Sequence, residues 1–147
     1  MKKTTVFQTI TVLLLFCSLL LVTNPAAAAI RIFEDPDVDP LAAQDIRSAV
    51  ESFEQLLKEE MKTTLIQDVG IYVCPTHDSY LRVRQREFRE TKDTAEKADK
   101  QFGGVWYRNG RFGTIILDLS NPALKTGQEK VAFIGRQLFY QAIYQWA

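Results

Sequence analysis

Beyond position 29, the hydrophobic residues first follow the patterns of β-strands. Apolar and polar side chains alternate over residues 30–33, and an almost unbroken apolar run fills residues 69–74 before Pro75. Alternation indicates a strand with one buried face, and a short continuous run indicates a strand buried on both faces. We therefore expect both segments to be strands of a sheet.

Two further strand patterns, residues 104–108 and 111–117, flank Asn109 and Gly110. An Asn-Gly pair tolerates the positive φ angles that a two-residue type I′ turn requires. The pattern predicts a β-hairpin and brings the number of predicted strands to four.

A helical pattern starts after the acidic turn at residues 34–40. Asp39 is predicted to be the N-cap and Pro40 the first helical residue, because the N–H that proline lacks has no helical partner in the first turn. The expected buried face recurs at helical spacing and consists of Leu41, Ile46, Val50, Phe53, Leu57 and Met61.

Two more helices are predicted downstream. One spans residues 78–90, and the charged segment 91–101 after it fits either a loop or a helix. The other begins near Thr126, where Thr126 and Glu129 have the spacing of a capping box, and continues toward the end of the sequence. The residues expected on one side of the first are Tyr80, Leu81, Arg84 and Phe88. The apolar positions of the second are Val131, Ile134, Leu138, Phe139, Ala142, Ile143 and Trp146.

The predicted order of elements is β-α-β-α-β-β-α. This order is typical of an α+β domain in which helices pack on a mixed or mostly antiparallel sheet. Of the 147 residues, 46% are hydrophobic and 24% are charged, which favours one packed domain over a disordered chain. Basic and acidic side chains are equal at 18 each, which argues against a nucleic-acid partner, since phosphate contacts require a basic surplus.

The N-terminal segment has the three parts of a secretory signal peptide. Two lysines precede the apolar run 12–22, and a run of alanines follows it. Because the run is shorter than the roughly 20 residues of a spanning helix, we favour a signal peptide over a membrane anchor. We expect a signal peptide at residues 1–29, cleaved after Ala28 or Ala29. The mature domain, residues 30–147, would be secreted or periplasmic and would have no membrane contact after cleavage.

Outside the last predicted helix, few residues are candidates for catalysis or metal binding. His77 is the only histidine, and Cys74 is the only cysteine beyond the signal peptide, so an internal disulfide is excluded. The pair fits half of a metal site, a nucleophilic thiol, or a strand-end thiol beside a turn histidine, and we favour the third interpretation. Four arginines between residues 82 and 89 lie among acidic residues and indicate a solvated helix face rather than an anion site.

The last predicted helix follows the hairpin and contains Arg136-Gln137-Leu138-Phe139-Tyr140. It resembles the active-site helix of the peptidase MA-like, or gluzincin, metallopeptidases, in which a β-α-β-α-β-β lobe precedes a helix carrying His-Glu-x-x-His. Residues 102–106 look like the edge strand of that family, and residues 115–119 look like the strand after it. The resemblance implies a zincin-like N-terminal lobe over residues 30–147, with its C-terminal helix in the position of the active-site helix.

All three positions of the catalytic motif are replaced. Where the family has His, Glu and His, this chain has Arg136, Gln137 and Tyr140. Histidines four apart on a helix can both reach one zinc ion, and the glutamate handles the proton of the zinc-bound water. Arginine has no lone pair to donate, glutamine cannot accept that proton, and tyrosine ligates well only when ionised. The resemblance therefore implies a domain with no metal, no other cofactor and no catalytic residue.

The resemblance also implies a truncated domain, because the sequence stops too soon after Tyr140 to include the helix that supplies the third zinc ligand. We expect Leu138 to be buried, and we expect truncation of Gln137 to be nearly silent, as for a vacated catalytic position. The alternative is an unrelated α+β domain whose last helix only echoes the motif.

Three functions are open at this point. The first is an exported, catalytically inactive metallopeptidase-like domain. The second is a secreted module that binds an extended peptide on the edge strand at Gly103, Gly104, Val105 and Trp106, or a protein partner that covers the C-terminal helix. The third is a working hydrolase, which would need a constellation that the sequence does not display.

Overall fold

A computed structural model describes residues 28–102, 106–109 and 112–146. Within them, seven elements match those predicted, and one more helix fills the segment that the sequence left open. The strands are β1 (Ile30–Glu34), β2 (Val69–Cys74), β3 (Trp106–Asn109) and β4 (Phe112–Asp118). The helices are α1 (Pro40–Glu59), α2 (His77–Phe88), α3 (Lys92–Phe102) and α4 (Gly127–Trp146), and a 3-10 turn spans Pro122–Leu124.

The four strands form one mixed sheet in the order β1-β2-β4-β3. β1, β2 and β4 run parallel, and β3 pairs antiparallel with β4 at the edge of the sheet. The mixed α+β fold is therefore confirmed, and the larger part of its sheet is parallel. Parallel neighbours need crossover connections, which α1 supplies between β1 and β2, and which α2, α3 and β3 supply between β2 and β4.

The predicted hairpin is confirmed, with a register that differs from the expected one. Asn109 pairs with Phe112, so Asn109 belongs to β3 and the residues between the strands are 110 and 111. The expected turn, centred on Asn109 and Gly110, would have left Asn109 outside the strand. Residues 110 and 111 themselves lie outside the described residues.

Helices cover both faces of the sheet. On one face, α1 and α4 pack together over residues such as Ile71 and Leu117. On the other face, α2 and α3 contribute Tyr80, Leu81 and Ala95 to a smaller cluster. Because β2 is buried on both faces, its sequence reads as a continuous apolar run.

The predicted helix starts are also confirmed. Asp39 caps α1, since its Oδ1 accepts the N–H groups of residues 41 and 42 at 2.7 and 3.3 Å. At the start of α4, the Thr126 N–H donates to Glu129 Oε2 at 2.8 Å, and the Glu129 N–H donates to Thr126 Oγ1 at 3.2 Å. These reciprocal bonds complete the capping box. They also hold the pKa of Glu129 below its usual value, the bond from the Thr126 backbone being the largest cause.

Two residues of the predicted α1 face are exposed, so this part of the prediction is wrong. Leu41 is 72% exposed in the first turn, and Met61 is 40% exposed beyond the end of the helix. The buried face of α1 begins at Ala42 and ends at Leu57. The spacing of apolar residues shows which side of a helix is buried. It does not show at which residues the packing against the rest of the protein begins and ends.

The buried face of α4 also differs in part from the prediction. Val131, Phe139 and Ile143 are exposed, although each was expected on the apolar side. The buried residues are Phe133, Ile134, Gln137, Leu138, Gln141 and Ala142. Apolar side chains occur almost all around α4, so their spacing does not select one stripe. Gln137 is buried and not at a vacated surface position, so the nearly silent effect expected of its truncation stays a prediction without that basis.

Ala28 and Ala29 are the part of the predicted signal peptide that falls within the described residues. Ala28 packs against the core, and the Ala29 N–H donates to Asp68 Oδ1 at 2.9 Å. The Ala29 carbonyl accepts the Val69 N–H at 3.0 Å. The signal peptide and its cleavage site stay predictions. None of the described helices combines the length and apolarity needed to cross a membrane.

Neighbouring residues of α4 provide a matched test of this packing. Leu138 is fully buried, whereas Phe139 is 43% exposed. We expect Leu138→Ala to lower the free energy of unfolding by about 2–5 kcal/mol, because it removes core contacts and leaves a cavity. Phe139→Ala should lower it by about 1 kcal/mol or less, since that ring is only partly buried. Urea unfolding followed by circular dichroism measures both. Equal losses for the two variants would contradict the orientation of α4.

Candidate functional site

The three motif positions of α4 do not converge. Arg136 and Tyr140 are exposed, whereas Gln137 is buried at 7% exposure. Residues four apart share one face of a helix, and adjacent residues point about 100° apart. The guanidinium and the phenol therefore lie on the outer face of α4, while the carboxamide enters the core. The structure thus separates the residues that the sequence placed in one motif.

Two buried carboxamides lie in the core between α4 and the sheet. Gln137 Oε1 and Gln141 Nε2 are fully buried and have no hydrogen-bond partner within the described part of the chain. Gly113 of β4 gives Gln141 its space, because a Cβ at that position would overlap the Gln141 side chain. A buried amide atom without a partner costs about 1–3 kcal/mol, so these groups lower the stability of the packing that surrounds them.

The residues on α4 do not suit a zinc ion. Zinc requires three or four nitrogen, sulfur or oxygen ligands that converge at about 2 Å. Arg136 offers a permanent cation, and Gln137 is turned into the core and away from Arg136 and Tyr140. Across residues 28–102, 106–109 and 112–146, no group of three or more His, Cys, Asp or Glu side chains could hold a metal ion.

The predicted peptide-binding strand is placed only in part. Gly103, Gly104 and Val105 lie outside the described residues, and Trp106 is the first residue of β3. Trp106 pairs with Ile115 of β4, which is the only neighbour of β3 among the strands of the described residues. The segment that the sequence singled out therefore leads into an edge strand.

His77 and Asp118 form a pair that the sequence did not reveal. His77 is the first residue of α2, just beyond β2, and Asp118 is the last residue of β4. His77 Nδ1 lies 2.8 Å from Asp118 Oδ2, and the Asp118 side chain is only 8% exposed. Asp118 Oδ1 accepts both the N–H of Ser120, at 3.0 Å, and its hydroxyl. A carboxylate only accepts hydrogen bonds, so the pair fixes the histidine tautomer that carries a proton on Nδ1.

An imidazole oriented by a carboxylate is the base half of many nucleophilic sites, which also need an activated hydroxyl or thiol. Among the described residues, the nearby candidates are engaged or buried. The Ser79 hydroxyl donates to the Thr76 carbonyl at 2.9 Å, and burial raises the pKa of the Cys74 thiol to about 12. A thiol that stays protonated at neutral pH is a poor nucleophile. The burial and the raised pKa of Cys74 therefore favour the interpretation that it is an unreactive thiol at the end of a strand.

One of the four clustered arginines is not on a solvated face, so that prediction is wrong for Arg84. Arg84 is fully buried. Its Nε donates to Glu90 Oε2 at 2.6 Å, and its two terminal nitrogens donate to Glu90 Oε1 and to the Tyr80 hydroxyl. A buried guanidinium needs such partners to offset its lost hydration. This pairing explains why the polar helix α2 can bury an arginine.

The residue that sequence reasoning missed at this place is Asp118. Its signal was available in principle, because it ends an apolar strand just as Cys74 ends another. β2 and β4 are parallel neighbours, and Cys74 pairs with Asp118 in register. This pairing brings Asp118 to the end of β2, where His77 follows. The carboxyl ends of parallel strands share one edge of a sheet, so the missing information was the strand pairing and not the residue type.

The raised pKa of Cys74 has two measurable consequences. In the Cys17→Ser variant, where Cys74 is the only thiol, iodoacetamide should label the folded protein far more slowly at pH 8 than the protein in guanidinium. The unfolded thiol ionises near its ordinary pKa of 9.0, whereas the folded thiol stays protonated up to about 12. Stability should therefore fall as pH rises from 9 to 12, and Cys74→Ala should reduce this loss. Equally fast labelling of folded and unfolded protein would contradict this environment.

Comparisons of the chain with protein-family models, with curated proteins and with solved structures find no match.

Proposed function

We propose that the chain is an exported, catalytically inactive metallopeptidase-like domain of the gluzincin type, with α4 in the position of the active-site helix. The observation that carries the proposal is the side-chain chemistry at the motif positions of α4. Arg136 and Tyr140 lie on the exposed face of the helix, where the guanidinium has no lone pair to donate to a metal, and the Gln137 carboxamide, which lies in the core, cannot accept a proton from water. These side chains supply neither a pair of zinc ligands nor a base for a metal-bound water.

The order of elements supports the family part of the proposal. A strand and a helix open the fold, the hairpin β3–β4 follows later, and α4 comes directly after the hairpin and the short 3-10 turn. β3, the antiparallel strand, is an edge of the sheet, as the resemblance expects for the strand before the active-site helix. α3 is an addition to the expected order. Export is supported by the charged, apolar and small-residue parts of the segment before residue 30.

Metal analysis of the purified protein tests this function. We expect less than stoichiometric zinc by plasma mass spectrometry, and no peptide cleavage that EDTA abolishes, because no two α4 side chains at the motif positions can ligate. Stoichiometric zinc or EDTA-sensitive cleavage would contradict inactivity.

His77→Ala is the matched control for this experiment, since His77 is the only histidine in the chain. Zinc that wild type holds and His77→Ala loses would come from the α2 side of the sheet and not from α4. Zinc that both proteins hold equally would have to be assigned to other residues, and substitution of Tyr140 would then decide whether α4 takes part.

A second candidate function is the binding of an extended peptide, and the edge position of β3 favours it. An edge strand presents unpaired N–H and C=O groups along one side, and an added strand can bond to them. Within the part of the chain that the structure describes, β3 pairs with β4 alone. The non-catalytic scaffold and the peptide-binding strand are compatible, because neither requires a metal.

Proline substitution tests the edge strand. In the strand that the sequence predicts over residues 104–108, successive residues would direct their N–H groups to opposite sides, so Gly104→Pro and Val105→Pro together would remove one N–H from each side. For a peptide selected from a random display library on the wild-type protein, we expect one of the two variants to weaken binding by about tenfold. Val105→Ala, which keeps the N–H, is the control and should bind normally. Unchanged affinity in both proline variants would remove this strand from consideration.

A further inference from the structure

A cleft of about 520 Å³ opens at the carboxyl ends of the parallel strands, away from the outer face of α4. Its lining comes from the segments that follow these strands, and it includes Asp37 after β1, Pro75 after β2 and Leu119 after β4. The carboxyl ends of parallel strands are where open sheets of this kind bind ligands. The volume lies within the range of roughly 300–1,000 Å³ that is typical of small-ligand sites.

Charges of opposite sign line the cleft without pairing with each other. Asp37 and Asp45 belong to the β1–α1 turn and α1, whereas Lys125 precedes α4 and Lys130 lies in the first turn of α4. None of the four forms an ion pair with any residue that the structure describes. The Lys130 ammonium donates to the Lys125 carbonyl at 3.3 Å. The cleft thus has an acidic side and a basic side, both available to a ligand.

The two sides meet at Gly127, the first residue of α4. A Cβ built on Gly127 would lie 2.7 Å from Asp45 Oδ2, so only glycine lets this carboxylate approach the helix. Since the Asp45 carboxylate lies against the start of α4, we assign the attraction of a cationic group to Asp37. Asp39, the third acidic residue of the lining, already caps α1.

Apolar side chains complete the cleft. Leu41 was expected in the core, yet it is 72% exposed and lines the cleft instead, together with Leu119 and Leu124. If an apolar group of a ligand covered Leu41, the surface of that group and the surface of Leu41 would both be removed from water. This is favourable by about 25 cal/mol for each Å² of apolar surface buried. The exposure of Leu41 is explained if this surface receives a ligand.

We propose that the cleft binds a short zwitterionic peptide, with its ammonium group at Asp37, its carboxylate at Lys125 and Lys130, and an apolar side chain on Leu41. Such a peptide matches the cleft in the signs of its charges and in its apolar part. A phosphorylated ligand or a nucleic acid would be repelled by the acidic side chains of the lining, and a metal cation would be repelled by its lysines. This inference does not depend on the function proposed for α4.

Calorimetric titration of the purified full chain with the tripeptide Ala-Leu-Ala tests the proposal. We expect saturable binding of the free peptide, and binding of its N-acetylated, C-amidated form weakened by about tenfold or more, because both charged ends are lost. Absence of saturable binding at millimolar peptide, or equal binding of the free and the blocked peptides, would overturn the proposal.

Single substitutions locate the site. Asp37→Asn and Lys125→Gln should each weaken binding about tenfold, and neither should shift the unfolding midpoint, because neither side chain makes a hydrogen bond or ion pair with a residue that the structure describes. Glu51→Gln and Lys58→Gln, exposed residues of α1 outside the cleft lining, are the matched controls. Equal weakening by the controls, or no weakening by the cleft variants, would place any bound peptide elsewhere and refute the assignment.

Discussion

The packing of α4 against α1 and the sheet is the contact on which the rest of the structure depends. Ile134, Leu138 and Ala142 are fully buried where α4 meets the sheet and α1. Gly113 in β4 leaves room for the Gln141 carboxamide, because a Cβ at that position would overlap it. The contact thus combines one glycine of the strand with a row of apolar side chains of the helix. The orientation of every other α4 side chain follows from this contact.

That orientation also determines what α4 can do. With Leu138 pointing inward, the geometry of the helix carries Gln137 inward beside it and leaves Arg136 and Tyr140 on the exposed side. Gln137 and Gln141 keep one buried amide atom each without a partner. Two apolar residues of similar volume would pack there at no such cost, so the carboxamides are not explained by stability alone.

Local signals in the sequence were sufficient to predict the strands and helices and to place the starts of two helices. Asp39 and the pair Thr126 and Glu129 were recognisable as caps because capping involves residues two or three positions apart. The continuous apolar run of β2 likewise reported its burial on two faces. The exposed Leu41 could not be recognised, because its environment depends on the ends of strands that are distant in the sequence. The same applies to the partner of His77, since Asp118 is brought to it only by the parallel pairing of β2 and β4.

This dependence on strand pairing explains why polar chemistry collects at one edge of the sheet. β1, β2 and β4 run in the same direction, so the polar residues that end them come together whatever their distance along the chain. Asp118 and His77 meet on the α2 face of that edge, and the charged cleft opens on the α1 and α4 face. β3 runs antiparallel to β4, so its carboxyl end does not lie at this edge. Because β3 is the last strand in the order, the side that faces away from β4 has no strand partner within the described residues. The strand order thus leaves backbone groups along β3 for one of the peptide sites that we propose, and the direction of the parallel strands gathers the side-chain charges of the other at the carboxyl edge.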